Sequence, residues 1–255
     1  MRVLFLGVGE ACDENLPNNS HLILSDTILL LDCGYSVPAQ LWEYNPAPSF
    51  LDAIYITHGH ADHYFGIPAL LVRMWEEKRT KPLTIICQRG LKGIIQELIE
   101  YGYKTLSERF EFKINFREVE EHQSITLNEL ELSFAPTVHP VRNLAIKVSD
   151  GGNTVCYSGD GMFNEETERL YKGSDLLIHE SYLFDQYVPG HASIADLINM
   201  ARGNNVRCLA LTHLQRNLRR EEIAKIKARI SQEKFKIIIP EPCEEYSFSI
   251  EGQPR

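Results

Sequence analysis

Residues 55–68 read "YITHGHADHYFGIP". His58, His60, Asp62 and His63 fall within six consecutive positions, after a β-rich apolar run and before a helix-like one. Neutral imidazole nitrogens and carboxylate oxygens are ligands that zinc-like ions accept. Side chains two apart on an extended strand share a face, so His58 and His60 are placed to grip one ion from the strand's end. Asp62 and His63, beyond the turn, are placed to hold a second. Gly59 and Ala61 are small enough to let the backbone wrap closely around both.

Two ions need more ligands than four. Three later segments supply them in one pattern, an apolar strand-like run leading to a donor: "FAPTVHP" with His139, "TVCYSGDG" with Asp160 and "VRCLALTH" with His213. Strand ends and their loops are where α/β architectures assemble sites. Of the nine histidines, only His21 and His122 lie outside the segments read here as site-forming; the others are the five ligand candidates, His179 and His191.

Around the motifs the chain alternates between strands and helices. "MRVLFLG", "HLILSDTILLLDCG" (two strands about Ser25-Asp26), "LDAIYITH" and "PLTIICQ" read as strands. "IPALLVRMWEEK" and "GLKGIIQELIEYG", closed by Gly102, read as helices. Phe110 to Phe134 alternates in short strand-like pieces, and "NLAIKVS" with "TVCYSGD" makes a hairpin around Asp150-Gly151-Gly152. Later, the helices "NEETERLYKG", "SIADLINMARGNN" and "REEIAKIKARI" separate the strands "DLLIHES", "VRCLALTH", "KFKIIIP" and "YSFSI". The expectation is a single α/β domain over residues 1–255, a four-layer αββα sandwich of two mixed sheets flanked by helices. Gly7 and Gly9 in "LGVGEA" lack the third glycine and the following helix of a dinucleotide loop, and predict a tight turn.

With 44% hydrophobic and 24% charged residues, 255 residues bury a full-sized core. The formal net charge of -9 opposes passive attraction to nucleic acid, although bound divalent cations offset part of it. Cys12, Cys33, Cys87, Cys156, Cys208 and Cys243 are scattered without a CxxC pair, and predict reduced thiols in a cytoplasmic protein. The start reads as a first strand rather than a signal peptide. No apolar stretch reaches the roughly 20 residues of a membrane span, so no membrane association is expected.

The ordered set His58, His60, Asp62, His63, His139, Asp160 and His213 resembles the metallo-β-lactamase superfamily, from the first strand to the last histidine. The resemblance implies two divalent ions, zinc by default with manganese or iron as alternatives. His58, His60 and His139 would bind the first ion and Asp62, His63 and His213 the second, with Asp160 bridging; Asp62 is expected to be indispensable for turnover. Asp32 in "LLLDCG" matches the family's first-motif aspartate, which orients the HxHxDH loop without touching metal. "LLIHESY", with His179 and Glu180, is similar to the His-Glu-Ala-Thr element of ribonuclease Z-like members. "GHASIADL", with His191, is similar to their His-Ser-Thr element, and "LGVGEACDENLPNNSHLIL" to their amino-terminal segment. In that branch the histidine protonates the leaving oxygen and the glutamate orients it. Those are the roles implied for His191 and Glu180, with His179 placed in support. One departure stands out. Ribonuclease Z enzymes that mature tRNA carry a protruding arm, inserted between the third and fourth motifs in bacterial forms. Here residues 140–159 leave room only for a strand, a turn and a strand.

Two cations roughly 3.5–4 Å apart acidify a shared water to a bridging hydroxide and offset charge on a phosphoryl or carbonyl oxygen. An alkoxide leaving group still needs a proton, which a His191–Glu180 pair supplies. The expected function is therefore dinuclear, metal-dependent phosphodiester hydrolysis of a small or short substrate such as a cyclic nucleotide. Nucleic acid is not favoured as a partner, and a homodimer is admitted. The alternatives are ribonuclease Z-type tRNA 3′-end cleavage without an arm, or lactone, ester or thioester hydrolysis on the same metals. A non-catalytic scaffold is disfavoured by the complete ligand set, and a flavin-linked oxygen reductase by the lack of a flavodoxin-like domain.

Overall fold

Period-two sorting of apolar side chains builds two sheets. The computed structural model describes residues 1–248. In it, β1 (Arg2–Gly7), β2 (Ser20–Leu24) and β3 (Ile28–Leu31) form an antiparallel meander. After α1 (Val37–Tyr44), β4 (Ala53–Ile56) joins β3 in parallel. Then α2 (Ala61–Tyr64) and α3 (Ile67–Glu76) lead to β5 (Leu83–Gln88). From there α4 (Leu91–Gly102) and a 3-10 turn at Leu106–Arg109 lead to β6 (Ile114–Val119), and both new strands run parallel to their predecessors.

The second sheet starts antiparallel, with β7 (Ser124–Leu127), β8 (Leu130–Pro136), β9 (Leu144–Ser149) and β10 (Thr154–Tyr157). Crossovers through α5 (Glu165–Tyr171), α6 (Ile194–Gly203) and α7 (Arg216–Ile230) add β11 (Leu176–Glu180), β12 (Cys208–Thr212) and β13 (Lys236–Ile238) in parallel. Finally β14 (Glu244–Ser247) returns to pair with β1. The result is two seven-stranded sheets, ordered β14-β1-β2-β3-β4-β5-β6 and β13-β12-β11-β10-β9-β8-β7.

Alternate residues of each strand enter different cores, as the pleat dictates. Val3, Phe5, Leu29, Leu31, Val155, Tyr157 and Ile178 pack between the sheets. Their neighbours Leu4, Leu6, Leu30 and Ile54 face α1, α3 and α4, while Cys156, Leu177 and Leu209 face α6 and α7. At about 1.5–3 kcal/mol per fully buried large apolar side chain, this double burial is why the strands read as continuous apolar runs. The expected αββα layering is therefore present. No helix among the described residues is long and apolar enough to cross a membrane. All six cysteines are free thiols, four of them buried.

Four local expectations are corrected. The helix α1 was not foreseen; it is short, carries Pro38 in its first turn and has no side-chain cap at Ser36. The helix α7 begins at Arg216, before "REEIAKIKARI", because Gln215 caps it by accepting from the Asn217 and Leu218 N–H groups. The last strand starts at Glu244, ahead of "YSFSI", of which Ser249 and Ile250 lie outside the described residues. Gly7 and Gly9 make no tight turn; they sit at the irregular end of β1, where a Cβ on Gly7 would lie 2.0 Å from the Asn18 carbonyl oxygen. These glycines let two backbone segments pass in contact.

The same device positions the histidine-rich turn. Cys33 donates its N–H to the His63 carbonyl (2.7 Å), and Gly66 donates to the Cys33 carbonyl (2.9 Å), so the end of β3 is zipped onto residues 62–66. A Cβ on Gly34 would lie 1.9 Å from the Asp62 carbonyl oxygen. Gly34→Ala should therefore push the turn outward, cost about 1–3 kcal/mol of stability and weaken metal retention. Thermal unfolding and metal analysis of the purified variant check this; wild-type values for both would contradict it.

Candidate metal centre

Loops at the carboxyl ends of β4, β8, β10, β11 and β12 converge on one rim. In sheets with parallel strands, that is where sites assemble. The sequence placed His58 and His60 on the strand itself, but β4 stops at Ile56. His60 precedes α2 with extended backbone (φ -90°, ψ 146°), so the two-residue spacing still aims both rings to one side. Asp62 and His63 stand in α2, His139 follows β8, Asp160 follows β10 and His213 follows β12.

The seven expected ligands come together in two groups. Donor atoms of His58, His60, His139 and Asp160 lie within 4.8 Å of one another, and so do those of Asp62, His63, Asp160 and His213. Asp160 belongs to both. The outward-facing nitrogens are already committed. His63 Nδ1 donates to Asp32 Oδ2 (2.7 Å), His58 Nδ1 to Thr57 Oγ1 (3.0 Å) and His139 Nδ1 to the Val141 carbonyl (2.9 Å). Each ring so anchored turns its Nε2 inward. There, the buried His58 Nε2, His63 Nε2, His213 Nε2 and Asp160 Oδ1 have no hydrogen-bond partner. Each such atom costs about 1–3 kcal/mol, a cost that bound divalent cations remove together. The donor set fits two of them.

Asp32 is the hub behind this cluster. It is fully buried and left-handed at φ 59°, a conformation kept by a non-glycine residue only where surrounding contacts enforce it. Its carboxylate accepts from the Thr57 N–H (2.8 Å), the Thr57 hydroxyl (2.9 Å), His63 Nδ1 and the Tyr157 hydroxyl (2.9 Å). Sequence reasoning foresaw Asp32 as orienting the loop but missed Thr57 and Tyr157. Their only signals were adjacency to His58 and a place in "TVCYSGD". His21 and His122 lie outside the cluster, as expected. His21 is buried edge-on to Phe5 and Tyr157 and pushed down to about 3 by burial and the nearby His63; His122 is exposed, 3.0 Å from Glu166.

Glu180 ends β11 and meets His191 from the loop before α6. Its Oε2 accepts from His191 Nδ1 (3.2 Å), while Oε1 accepts from the Gly161 and Ala192 N–H groups, both at 3.0 Å. Burial works against a charged His191, but the hydrogen bond and charge of Glu180 outweigh it and raise its pKa. The His191 ring lies 5.8 Å from that of His139, between centroids. His179 stands apart: its Nδ1 donates to the Glu180 carbonyl (2.7 Å) and its ring packs edge-on to Tyr171 and Phe163. Its contact is with the backbone that carries Glu180 and not with a ligand side chain. Sequence reasoning did not single out Tyr182, which stacks on His191 at 4.5 Å.

The two groups differ in charge. Burial and the neighbouring His63 hold His58 well below the usual imidazole range, and burial lowers His139, so both are neutral and ready to bind. Burial also opposes charge on His63 and His213, yet Asp160 and its carboxylate neighbours overcome it. His63 is raised well above the usual range, and His213 up to about 9. Those two protons must leave before the nitrogens can bind metal. Loading metal-free protein with Zn2+ near pH 7 should therefore release protons mainly with the second ion, whose apparent affinity should rise as pH increases toward 9. Titration in weakly buffered solution reads both; equal affinity at pH 6 and pH 9 would contradict the assignment.

Comparison with known proteins places this geometry. Ribonuclease Z of Methanothermobacter thermautotrophicus is 28% identical over 88% of this chain and 89% of its own length. The probable metallo-hydrolase YhfI of Bacillus subtilis is 29% identical over 87% of this chain and 92% of its own. The crystal structure of YhfI superposes with a TM-score of 0.79, covering 96% of this chain and 98% of that one at 26% identity. Human tRNase Z, short form, shares the fold with a TM-score of 0.80 at 22% identity, covering 98% and 100% of the two chains. The profile of a family described as "Anti-Pycsar protein Apyc1" matches residues 1–235. The chain is thus a metallo-β-lactamase-fold hydrolase of the ribonuclease Z-like branch, and it belongs to the anti-Pycsar protein Apyc1 family.

Proposed function

We propose that the chain is a dinuclear metal phosphodiesterase that cleaves a small phosphodiester, a cyclic nucleotide being a fitting example. The observation that carries this is the Glu180–His191 pair standing at the edge of the metal cluster. In this reading His58, His60 and His139 hold the first ion, Asp62, His63 and His213 the second, and Asp160 reaches both. Zinc suits the imidazole and carboxylate donors. The two cations would supply an acidified water and positive charge against the phosphoryl oxygens. His191 does the rest: as the P–O bond to the leaving group breaks, its proton passes to the departing oxygen, which leaves as a hydroxyl, and the ring is left neutral. Glu180, fixed by two backbone N–H groups, keeps His191 protonated and aimed beforehand. Lactones and thioesters need such a donor less, because their leaving groups depart more easily.

The small substrate is supported by the region where a tRNA-binding arm would stand: β9, the Asp150-Gly151-Gly152 turn and β10 use most of residues 140–159. The net charge of -9 points the same way. The second reading, tRNA 3′-end cleavage, is favoured by relatives named ribonuclease Z that align over most of their length. A hydrolysis panel of bis(4-nitrophenyl) phosphate, 3′,5′-cyclic nucleotides, a precursor tRNA, a lactone and a thioester separates the readings. Fast turnover of the cyclic diesters is expected; turnover of the precursor tRNA alone would replace this reading with the second.

His191→Ala should reduce kcat for the cyclic diester by about 100–1,000-fold and for the nitrophenyl diester by less than about 10-fold, since nitrophenolate leaves without a proton. Equal losses on the two substrates would remove His191 from the role of proton donor.

A further inference from the structure

We propose that Tyr182 is the positioning residue for His191: its ring, stacked on the imidazole, keeps the proton-bearing nitrogen aimed at the leaving oxygen. This rests on the reading of His191 as proton donor. The Tyr182 and His191 ring centroids are 4.5 Å apart, with the planes inclined by only 25°. Glu180 holds the imidazole at one atom, Nδ1, through a 3.2 Å bond. A single hydrogen bond at one ring atom leaves the far nitrogen free to swing about that contact. A flat surface laid along the ring removes the swing.

Tyr182 is equipped to be that surface. Its backbone N–H donates to the Ala192 carbonyl (3.0 Å), and its carbonyl accepts from the Gln215 N–H (3.0 Å). Ala192 immediately follows His191, and Gln215 lies two residues beyond His213. The tyrosine is therefore tied on one side to the loop of the proton donor and on the other to the loop of a metal ligand. The His191 and His213 rings are nearly parallel, inclined by 12° with centroids 6.5 Å apart, and Tyr182 lies 6.4 Å from His213 at a tilt of 37°. Stacking uses the ring face and not the hydroxyl, so phenylalanine should serve equally well. Tyr182 is only half-buried, so removing its ring opens the rim and leaves the sheets intact.

The test uses metal-loaded Tyr182→Ala, Tyr182→Phe, Tyr182→Leu, His191→Ala and the double variant of His191→Ala with Tyr182→Ala. Substrates are a 3′,5′-cyclic nucleotide and bis(4-nitrophenyl) phosphate, and metal content is matched to wild type. Tyr182→Ala should lower kcat on the cyclic diester by about 10–100-fold, lower it on the nitrophenyl diester by less than about 3-fold, and leave both KM values nearly unchanged. Phe should restore kcat, and Leu, which fills space without stacking, should not. In the His191→Ala background Tyr182→Ala should add nothing, because residues that act as one unit are not additive. Equal loss on both substrates, a loss carried by KM, Leu as good as Phe, or additive losses would each overturn the proposal while a selective His191→Ala effect leaves the proton-donor reading standing. A His191→Ala variant equally impaired on both substrates would overturn that reading, and this one with it.

Discussion

A buried carboxylate with four hydrogen bonds is the constraint on which the rest depends. Asp32 sits at the end of β3 with no exposure, and burying an unpaired carboxylate costs far more than a fold of this size can spare. It is compensated by Thr57 and His63 from the first sheet's histidine-rich loop and by Tyr157 from the second sheet. Those bonds join the two sheets and fix the entry and exit of the HxHxDH turn. They also commit His63 Nδ1, so that Nε2 must face inward. The left-handed backbone at Asp32 is tolerated because these contacts enforce it.

From that anchor the chemistry follows geometrically. Strands β4, β8, β10 and β12, drawn from both sheets, end at one rim, and each leads into a candidate metal ligand. The rim then contains more buried polar atoms than the protein can satisfy, with His58 Nε2, His63 Nε2, His213 Nε2 and Asp160 Oδ1 all short of a hydrogen-bond partner. In a well-formed core such atoms would be paired. Here they are directed at two points that share Asp160. At one edge stands the hydrogen-bonded Glu180–His191 pair, which we propose as the proton donor.

Much of this was legible in the sequence because it is local. The spacing within "THGHADH" and the apolar runs ending at His139, Asp160 and His213 carry their own meaning, and short apolar runs bounded by turn residues predicted the strands of both sheets. What escaped depends on contacts between distant segments. Tyr157 reaches Asp32 across 125 residues, and nothing near Tyr157 announces that its hydroxyl is committed there. Tyr182 matters through stacking on a ring nine positions on, by way of a loop whose path no periodicity predicts. His179, grouped with Glu180 by motif, turns the other way because alternate strand residues face opposite sides. Gly7 and Gly9 looked like a turn because close backbone approach and turning use the same residue.

The central claim is that two divalent ions share one buried site through Asp160. The direct measurement is the number of tightly bound divalent ions per chain, determined by elemental mass spectrometry on protein purified without chelator. Two ions per chain, falling to one or fewer in Asp160→Ala with the fold retained by circular dichroism, is the result this account gives. A wild-type chain that retains one ion or none after equilibration with excess Zn2+ would contradict it.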